Sequence, residues 1–147
     1  MLNIHLKMKK IILLISIIGG ISLVIYTDSI ISSESLYPQP GTYAYFVSVP
    51  SLIRSLPQPQ QIGQATYSHT AGDGTKVPED EVSFLSAAVK ENILRQIEDY
   101  LTIRGLKKLD NGTDTENHTY VGDDLLVEIR MRSKDHGNNE VVVSQTY

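Results

Sequence analysis

The stretch DLLVEIRMR, at residues 124–132, has the clearest strand pattern in the chain. Its odd-numbered residues from Leu125 to Met131 are apolar and face one side of an extended backbone, whereas the residues between them face the other. Residues 140–147, EVVVSQTY, follow a polar turn at 133–139 and also favour a strand. The two segments predict an antiparallel hairpin, and hence a mainly antiparallel sheet.

A long amphipathic helix is predicted upstream of the hairpin, over residues 78–104. Apolar residues recur there three or four positions apart and form one stripe: Val82, Leu85, Val89, Ile93, Ile97, Tyr100 and Leu101. Pro78 and the acidic residues after it suit the first turn of a helix, and Gly105 suits its end. A helix of this length with a single stripe is expected to lie across a sheet.

Shorter strands complete the predicted sheet. Residues 42–49, TYAYFVSV, alternate and predict a first strand that ends at Pro50. Residues 65–70 predict a short edge strand and residues 106–109 a short strand after the helix, whereas residues 110–120 are typical of a polar loop. The predicted fold class is therefore α+β with two layers, in which one long helix packs on a sheet of about four to five strands.

The N-terminal segment has the pattern of a membrane anchor or a signal sequence. Three lysines, the last of them Lys10, precede an uncharged apolar run at residues 11–26, and Asp28 follows it. The run approaches the length of about 20 apolar residues that a bilayer core requires. The candidate membrane-spanning residues are Ile11, Ile12, Leu13, Leu14, Ile17, Ile18, Ile21, Leu23, Val24, Ile25 and Tyr26.

Three interpretations of this segment stay open: an uncleaved signal anchor, a cleaved signal peptide and a buried core helix. Small-x-small patterns for cleavage occur at residues 20–22 and 33–35. The chain beyond residue 27 has a net charge of −7, as expected for an exported part that follows a basic start. The predicted division is a signal anchor or signal peptide at 1–27, a flexible tether at 28–41 and an exported domain at 42–147.

The composition excludes several classes of protein. The chain has 147 residues, no Cys and a net charge of −4, so disulfides, thiolate metal sites, Cys nucleophiles and a broad nucleic-acid surface are excluded. It has no Gly-x-Ser-x-Gly motif, and none of its four histidines has a second histidine at helical spacing. Asp123 and Asp124 are adjacent, so their side chains would point to opposite faces of a strand. We therefore expect a protein that is not an enzyme and has no metal or cofactor.

Short pieces of the chain resemble an uncharacterised domain family of bacterial cell-envelope proteins, many of them lipoproteins. The matching pieces are TYAY at residues 42–45, the helix at 93–104 followed by Gly105, and DLLV at 124–127. The resemblance spans most of residues 42–143 and implies a location in the envelope of a bacterium of the Gram-negative type. The lipid-bearing Cys is absent, so a lipid anchor is not implied and the N-terminal helix takes its place. The family brings no established activity and no catalytic residues.

The sequence predicts a non-enzymatic, membrane-tethered protein of the cell envelope that is a protein-interaction or structural module. Its domain would be exported to the periplasm, or secreted if the leader is cleaved. Such a domain would bind another envelope protein by sheet-edge pairing or through a tyrosine-rich face at Tyr43, Tyr45 and Tyr67. Packing of these tyrosines in the core is the alternative. The second functional hypothesis is an exported small-ligand-binding protein or enzyme. Its site would lie between the helix and the sheet and use His69, His118 or Asp123.

Overall fold

The computed structural model describes residues 2–33, 35–72, 75–109 and 116–147, with the side chains of the first helix described from Met8 onward. Its fold class is α+β, as predicted, with six strands rather than four to five. The helices are α1 (Leu2–Ile31), α2 (Tyr43–Ser48), α3 (Ser51–Arg54) and α4 (Lys90–Ile103). The strands are β1 (Gln61–Thr70), β2 (Glu79–Ser86), β3 (Lys107–Leu109), β4 (Asn117–Val121), β5 (Leu126–Ser133) and β6 (Asn139–Thr146).

The strands form one antiparallel sheet in the order β1-β2-β6-β5-β4-β3, so the last strand of the chain lies in the middle. Val143 of β6 is fully buried, opposite Val82 of β2 on one side and Ile129 of β5 on the other. Ile93 and Ile97 of α4 belong to the same core. The helices therefore cover one face of the sheet, and the alternating burial along the strands leaves the other face accessible.

The predicted hairpin is confirmed. β5 and β6 pair in register over their whole length, from Leu126 opposite Thr146 to Ser133 opposite Asn139. The odd-numbered apolar residues of β5 from Val127 onward are buried, as the alternation predicts. The predicted strand after the helix is also present, as β3.

The end of the predicted helix at Gly105 is confirmed as well. Gly105 has a φ of 85°, a left-handed conformation that favours glycine. Its N–H donates to the carbonyl of Thr102, and the N–H of Leu106 donates to the carbonyl of Leu101. These two bonds form a Schellman motif, and the burial of both leucines in the core supplies its apolar contact.

The single helix predicted over residues 78–104 is wrong. Its first part is the strand β2, and only residues from Lys90 onward are helical. The reason is that β2 pairs with two neighbouring strands, β1 and β6. Its side chains Val82 and Phe84 are buried between the sheet and the helices. Asp80 and Ser86 are buried on the same face, and these polar residues hide the strand alternation in the sequence.

The strand predicted at residues 42–49 is also wrong, because most of it forms the helix α2. Thr42 caps this helix, since its hydroxyl accepts a bond from the backbone N–H of Tyr45 at 3.3 Å. In the predicted polar loop at 110–120, the last residues form the strand β4, whereas 110–115 lie outside the described residues. The predicted edge strand at 65–70 is confirmed and begins earlier, at Gln61.

Candidate functional site

The apolar helix α1 is long enough to cross a membrane or to act as a signal helix. Its apolar part, Met8–Ile31, has 24 residues, and the most apolar window of 18 residues in it has a mean hydropathy of 2.2 and is not buried in the protein. At a rise of about 1.5 Å per residue it extends over roughly 36 Å, compared with about 30 Å for a hydrocarbon core. The candidate membrane-spanning residues named above, from Ile11 to Tyr26, are all exposed.

The C-terminal end of α1 contacts the domain. Ile30 is buried, with 7% of its surface exposed. The ring of Tyr26 stacks on the ring of Tyr43 in α2, with 6.0 Å between their centroids. The hydroxyls of Thr27 and Tyr43 lie 2.6 Å apart and share a hydrogen bond. These contacts hold α2 against the last turns of α1.

The chain after α1 pairs with the outer edge of the sheet. Leu36 forms an antiparallel bridge with His69 of β1, and each backbone N–H of this pair donates to the other's carbonyl at 2.8 Å. The N–H of Ala71 donates to the carbonyl of Ser33 at 3.3 Å. Part of the segment predicted as a tether, residues 28–41, is therefore held on β1.

His69 connects the end of α1 to the sheet through its side chain. Its Nδ1 lies 2.7 Å from Oδ1 of Asp80 on β2, and its Nε2 lies 3.2 Å from the carbonyl oxygen of Ile31. The hydroxyl of Tyr147 donates to the other carboxylate oxygen of Asp80 at 3.3 Å. The arrangement binds helix α1 to β1 and β2 through one side chain.

This His–Asp pair lacks the geometry of a general base. A catalytic histidine needs its second ring nitrogen directed at a nucleophile or a substrate. Here Nε2 of His69 faces a backbone carbonyl, and the side chain is 11% exposed. In this structure the pair instead connects the end of α1 to β1 and β2.

Burial raises the pKa of the Asp80 carboxyl above its usual range, although the His69 ring and the Tyr147 hydroxyl act in the opposite direction. The folded state then holds this proton more tightly than the unfolded state, so stability falls as the pH rises from about 3.9 through the raised pKa. We expect Asp80→Asn to remove this fall. Unfolding of the full chain by urea in detergent micelles, measured across the acidic range, tests it. Equal pH dependence in both proteins would contradict the expectation.

The three tyrosines that the sequence predicts as a binding surface do not form one surface. Two of them lie in the core, and Tyr43 lies where α1 contacts the domain. Tyr45 and Tyr67 are buried, with their rings edge to face at 5.0 Å, and Gln58 donates to the Tyr67 hydroxyl at 3.0 Å. Burial, followed by the contact with Tyr67, raises the pKa of Tyr45 to about 12. Only Tyr43 keeps an exposed part of its ring, 44% of its surface. The burial favours the packing interpretation for the other two.

The structure does not bring His69, His118 and Asp123 together. His69 lies on β1 and His118 on β4, with three strands between them, which is a separation of roughly 19 Å. Asp123 lies in the exposed turn between β4 and β5. Among the described residues, no group of three His, Asp or Glu side chains is arranged to hold a metal ion. The structure therefore does not place His69 and His118 in one site.

The face of the sheet opposite the helices is a second candidate surface that sequence reasoning missed. Arg130 of β5 and Glu81 of β2 form an ion pair across it, with N and O atoms 3.3 Å apart. Burial raises the pKa of Glu81, whereas the guanidinium of Arg130 lowers it. A shallow groove beside this pair is also lined by Arg132, Glu140 and Val142. The charged even-numbered residues of β5 were the signal for this open face. We call it the open sheet face.

Comparison of the chain with protein-family models, with curated proteins and with solved structures finds no match.

Proposed function

We propose that the chain is a non-enzymatic protein of the bacterial cell envelope, in which α1 is an uncleaved anchor and the α+β domain binds an envelope protein partner. The observation that supports this function best is the packing of the end of α1 into the domain. Ile30 is buried and the Ile31 carbonyl contacts His69. Cleavage at Ser35 would remove both contacts, which supports a chain that keeps its helix, whereas cleavage at Ser22 would leave them in place.

The charge distribution supports an exported domain. Lys9 and Lys10 precede the apolar run of α1, and the chain beyond residue 27 carries a net charge of −7. Positive residues are retained on the cytoplasmic side of a first membrane helix. The proposed location of the domain is therefore the periplasmic side of the inner membrane.

The open sheet face is the surface we propose for the partner. The two sheet edges are less suitable for strand addition, because Leu36 covers part of β1 and the other edge strand, β3, is three residues long and carries Lys107 and Lys108. The open sheet face instead presents charges of both signs, such as Arg132 and Glu140, around an accessible groove. Such a surface suits a polar protein interface.

The second functional hypothesis, a ligand-binding protein or enzyme with a site between helix and sheet, has less support. The buried side of α4 presents Ile93, Ile97 and Leu101, each without exposed surface, to the sheet core. A ligand site requires a concave space with convergent polar groups. In the part of the chain that the structure describes, this side of α4 presents aliphatic side chains and not convergent polar groups.

We expect the chain in its native cells to retain α1 and to crosslink through the open sheet face. A photoreactive residue at Glu128, exposed on β5, should join the chain to a membrane-associated protein. The same residue at Ile103, which is 83% exposed on α4, is the matched control and should not. The intact mass of the chain, and its retention in membranes after alkaline extraction, are measured on the same sample.

A second control gives the mass and the fractionation expected for a domain that has been released from the membrane. The double variant Tyr26→Ala/Asp28→Ala creates an Ala-x-Ala pattern at the end of the apolar run, and a signal peptidase would then free the domain. If the unaltered chain behaves like this variant, with a mass shortened at Ser22 or Ser35, the anchor is wrong. If both photoreactive positions give the same products, the proposed partner surface is wrong.

A further inference from the structure

Three exposed aromatic side chains lie on the last turns of α1 and on the helix α2 that contacts them, and we call them the aromatic collar: Tyr26, Tyr43 and Phe46. They keep 56%, 44% and 59% of their surface exposed. Tyr43 and Phe46 lie three positions apart on α2, so they share one face of this helix. Tyr45 and Ser48, on its other side, are buried in the domain. The helix α2 therefore carries an aromatic face that the protein itself does not cover.

The depth of the aromatic collar follows from the length of α1. Lys10 and Tyr26 are separated by about 24 Å along the helix axis at about 1.5 Å per residue. If Lys10 lies at one boundary of a hydrocarbon core of about 30 Å, Tyr26 lies within about 6 Å of the opposite boundary, on its apolar side. Tyr43 stacks on Tyr26 at 6.0 Å, so it lies at nearly the same depth.

The surroundings of Tyr43 are those of a membrane boundary. It lines an apolar cleft of about 340 Å³ between α1 and α2, together with Leu23 and Val24 of the apolar run. Thr27 and Asp28 line the same cleft, so apolar and polar groups meet there. Tyrosine is enriched at this level of a bilayer, because its ring is apolar and its hydroxyl is polar.

A cation accompanies the aromatic collar. The guanidinium carbon of Arg54 lies 5.5 Å from the centre of the Phe46 ring, and Nη1 of Arg54 donates to the Phe46 carbonyl at 3.1 Å. An arginine held beside an exposed aromatic ring matches a boundary where acyl chains meet phosphate groups.

We propose that α2 lies in the headgroup region of the same membrane that α1 spans, with Tyr43 and Phe46 in contact with lipid. The occupant of this aromatic surface is therefore the bilayer. The proposal rests on the proposed function, since it requires α1 to be retained and to span the membrane. It adds a second membrane contact that would fix the orientation of the domain.

The absence of tryptophan from the chain allows a direct test, because Phe46→Trp supplies a single indole. The full-length variant is reconstituted in vesicles of phosphatidylcholine and phosphatidylglycerol. We expect its emission to shift to shorter wavelength relative to the chain unfolded in urea. Lipids brominated near the headgroup should quench the indole more strongly than lipids brominated deep in the chain, and acrylamide in the water should quench it weakly.

The matched control is Ile103→Trp, at an exposed position on α4 that has no place in the proposed contact. Its indole should emit as in water and respond to acrylamide and not to brominated lipid. Circular dichroism spectra that match those of the unaltered chain show that both variants fold. The difference between the two variants in quenching by brominated lipid is the measured quantity.

The outcomes separate this proposal from the proposed function. A chain that does not float with the vesicles contradicts the anchor itself. A chain that floats, but whose Phe46→Trp indole responds like the Ile103→Trp control, overturns only the lipid contact of α2. Shielding of the Phe46→Trp indole from both quenchers also overturns it, because a second copy of the chain would then cover the aromatic collar.

Discussion

Replacing Val143 with aspartate is expected to unfold the domain. Val143 has no exposed surface and lies in the central strand β6, between Val82 and Ile129. A carboxylate at this position would lose its hydration without gaining a partner, at a cost of at least about 4 kcal/mol. That cost approaches the whole stability of a small domain, which is about 5–15 kcal/mol. Limited proteolysis of the full chain in detergent micelles should show rapid digestion of the domain.

The adjacent substitution Val142→Asp is the matched control for Val143→Asp. Val142 is on the same strand but points to the open sheet face, where it lies directly opposite Arg130. A carboxylate there remains hydrated and gains an opposite charge across the strands. We expect the domain of this variant to resist proteolysis like the unaltered chain. Similar digestion of both variants would show that the two faces of the sheet are not assigned correctly.

The second large effect is expected at Phe84, and it distinguishes the strand β2 from the helix that the sequence pattern predicts. Phe84 is 3% exposed, whereas the predicted helical stripe omits it and contains Leu85, which is 40% exposed. Phe84→Ala should therefore cost about 3–5 kcal/mol, because it removes a large buried side chain and leaves a cavity. The free energy of unfolding by urea of the full chain in micelles measures the loss.

Leu85→Ala provides the comparison for Phe84→Ala at the neighbouring position. In the structure Leu85 points to the open sheet face, so its truncation should cost much less than that of Phe84. A helix over this segment would reverse the order, since Leu85 would then be buried in the stripe. A larger loss in Leu85→Ala than in Phe84→Ala would therefore contradict β2.

The parts of the fold that the sequence predicts correctly are those with a local signal. The alternation in β5 arises because its buried residues, such as Val127 and Ile129, are all apolar. The end of α4 is predictable because a left-handed residue after a helix favours glycine, which is present as Gly105. The apolar run of α1 needs no tertiary contact to be recognised, since its side chains are exposed.

The errors come from segments whose conformation depends on distant residues. In β2, Asp80 is buried because His69 and Tyr147 provide hydrogen bonds to its carboxylate. From the local sequence alone, Asp80 and its acidic neighbours Glu79 and Glu81 indicate the exposed first turn of a helix. In α2, Tyr45 is buried against Tyr67 of β1. The periodicity of apolar residues within one segment does not indicate a contact between two separate segments.

The candidate surfaces also divide into those with a local sequence signal and those that depend on contacts between distant residues. The contact between His69 and the Ile31 carbonyl joins residues 38 positions apart, and no motif indicates it. The pairing of Leu36 with β1 likewise depends on the final arrangement of the sheet. By contrast, the charged residues Glu128 and Arg130 alternate visibly with apolar ones, so the open sheet face was accessible to sequence reasoning.

The central position of β6 has a consequence for the order in which the protein is made. In the described sheet, β2 and β5 are joined only through β6. Glu79, at the start of β2, pairs with Thr146, at the end of β6. The sheet therefore stays in two separate parts while the ribosome is still adding β6. Its folding, dominated by pairing between distant segments, is therefore expected to be slow. Under the proposed function, a chain in this state has no completed core that could block a translocation channel, and folding would follow export.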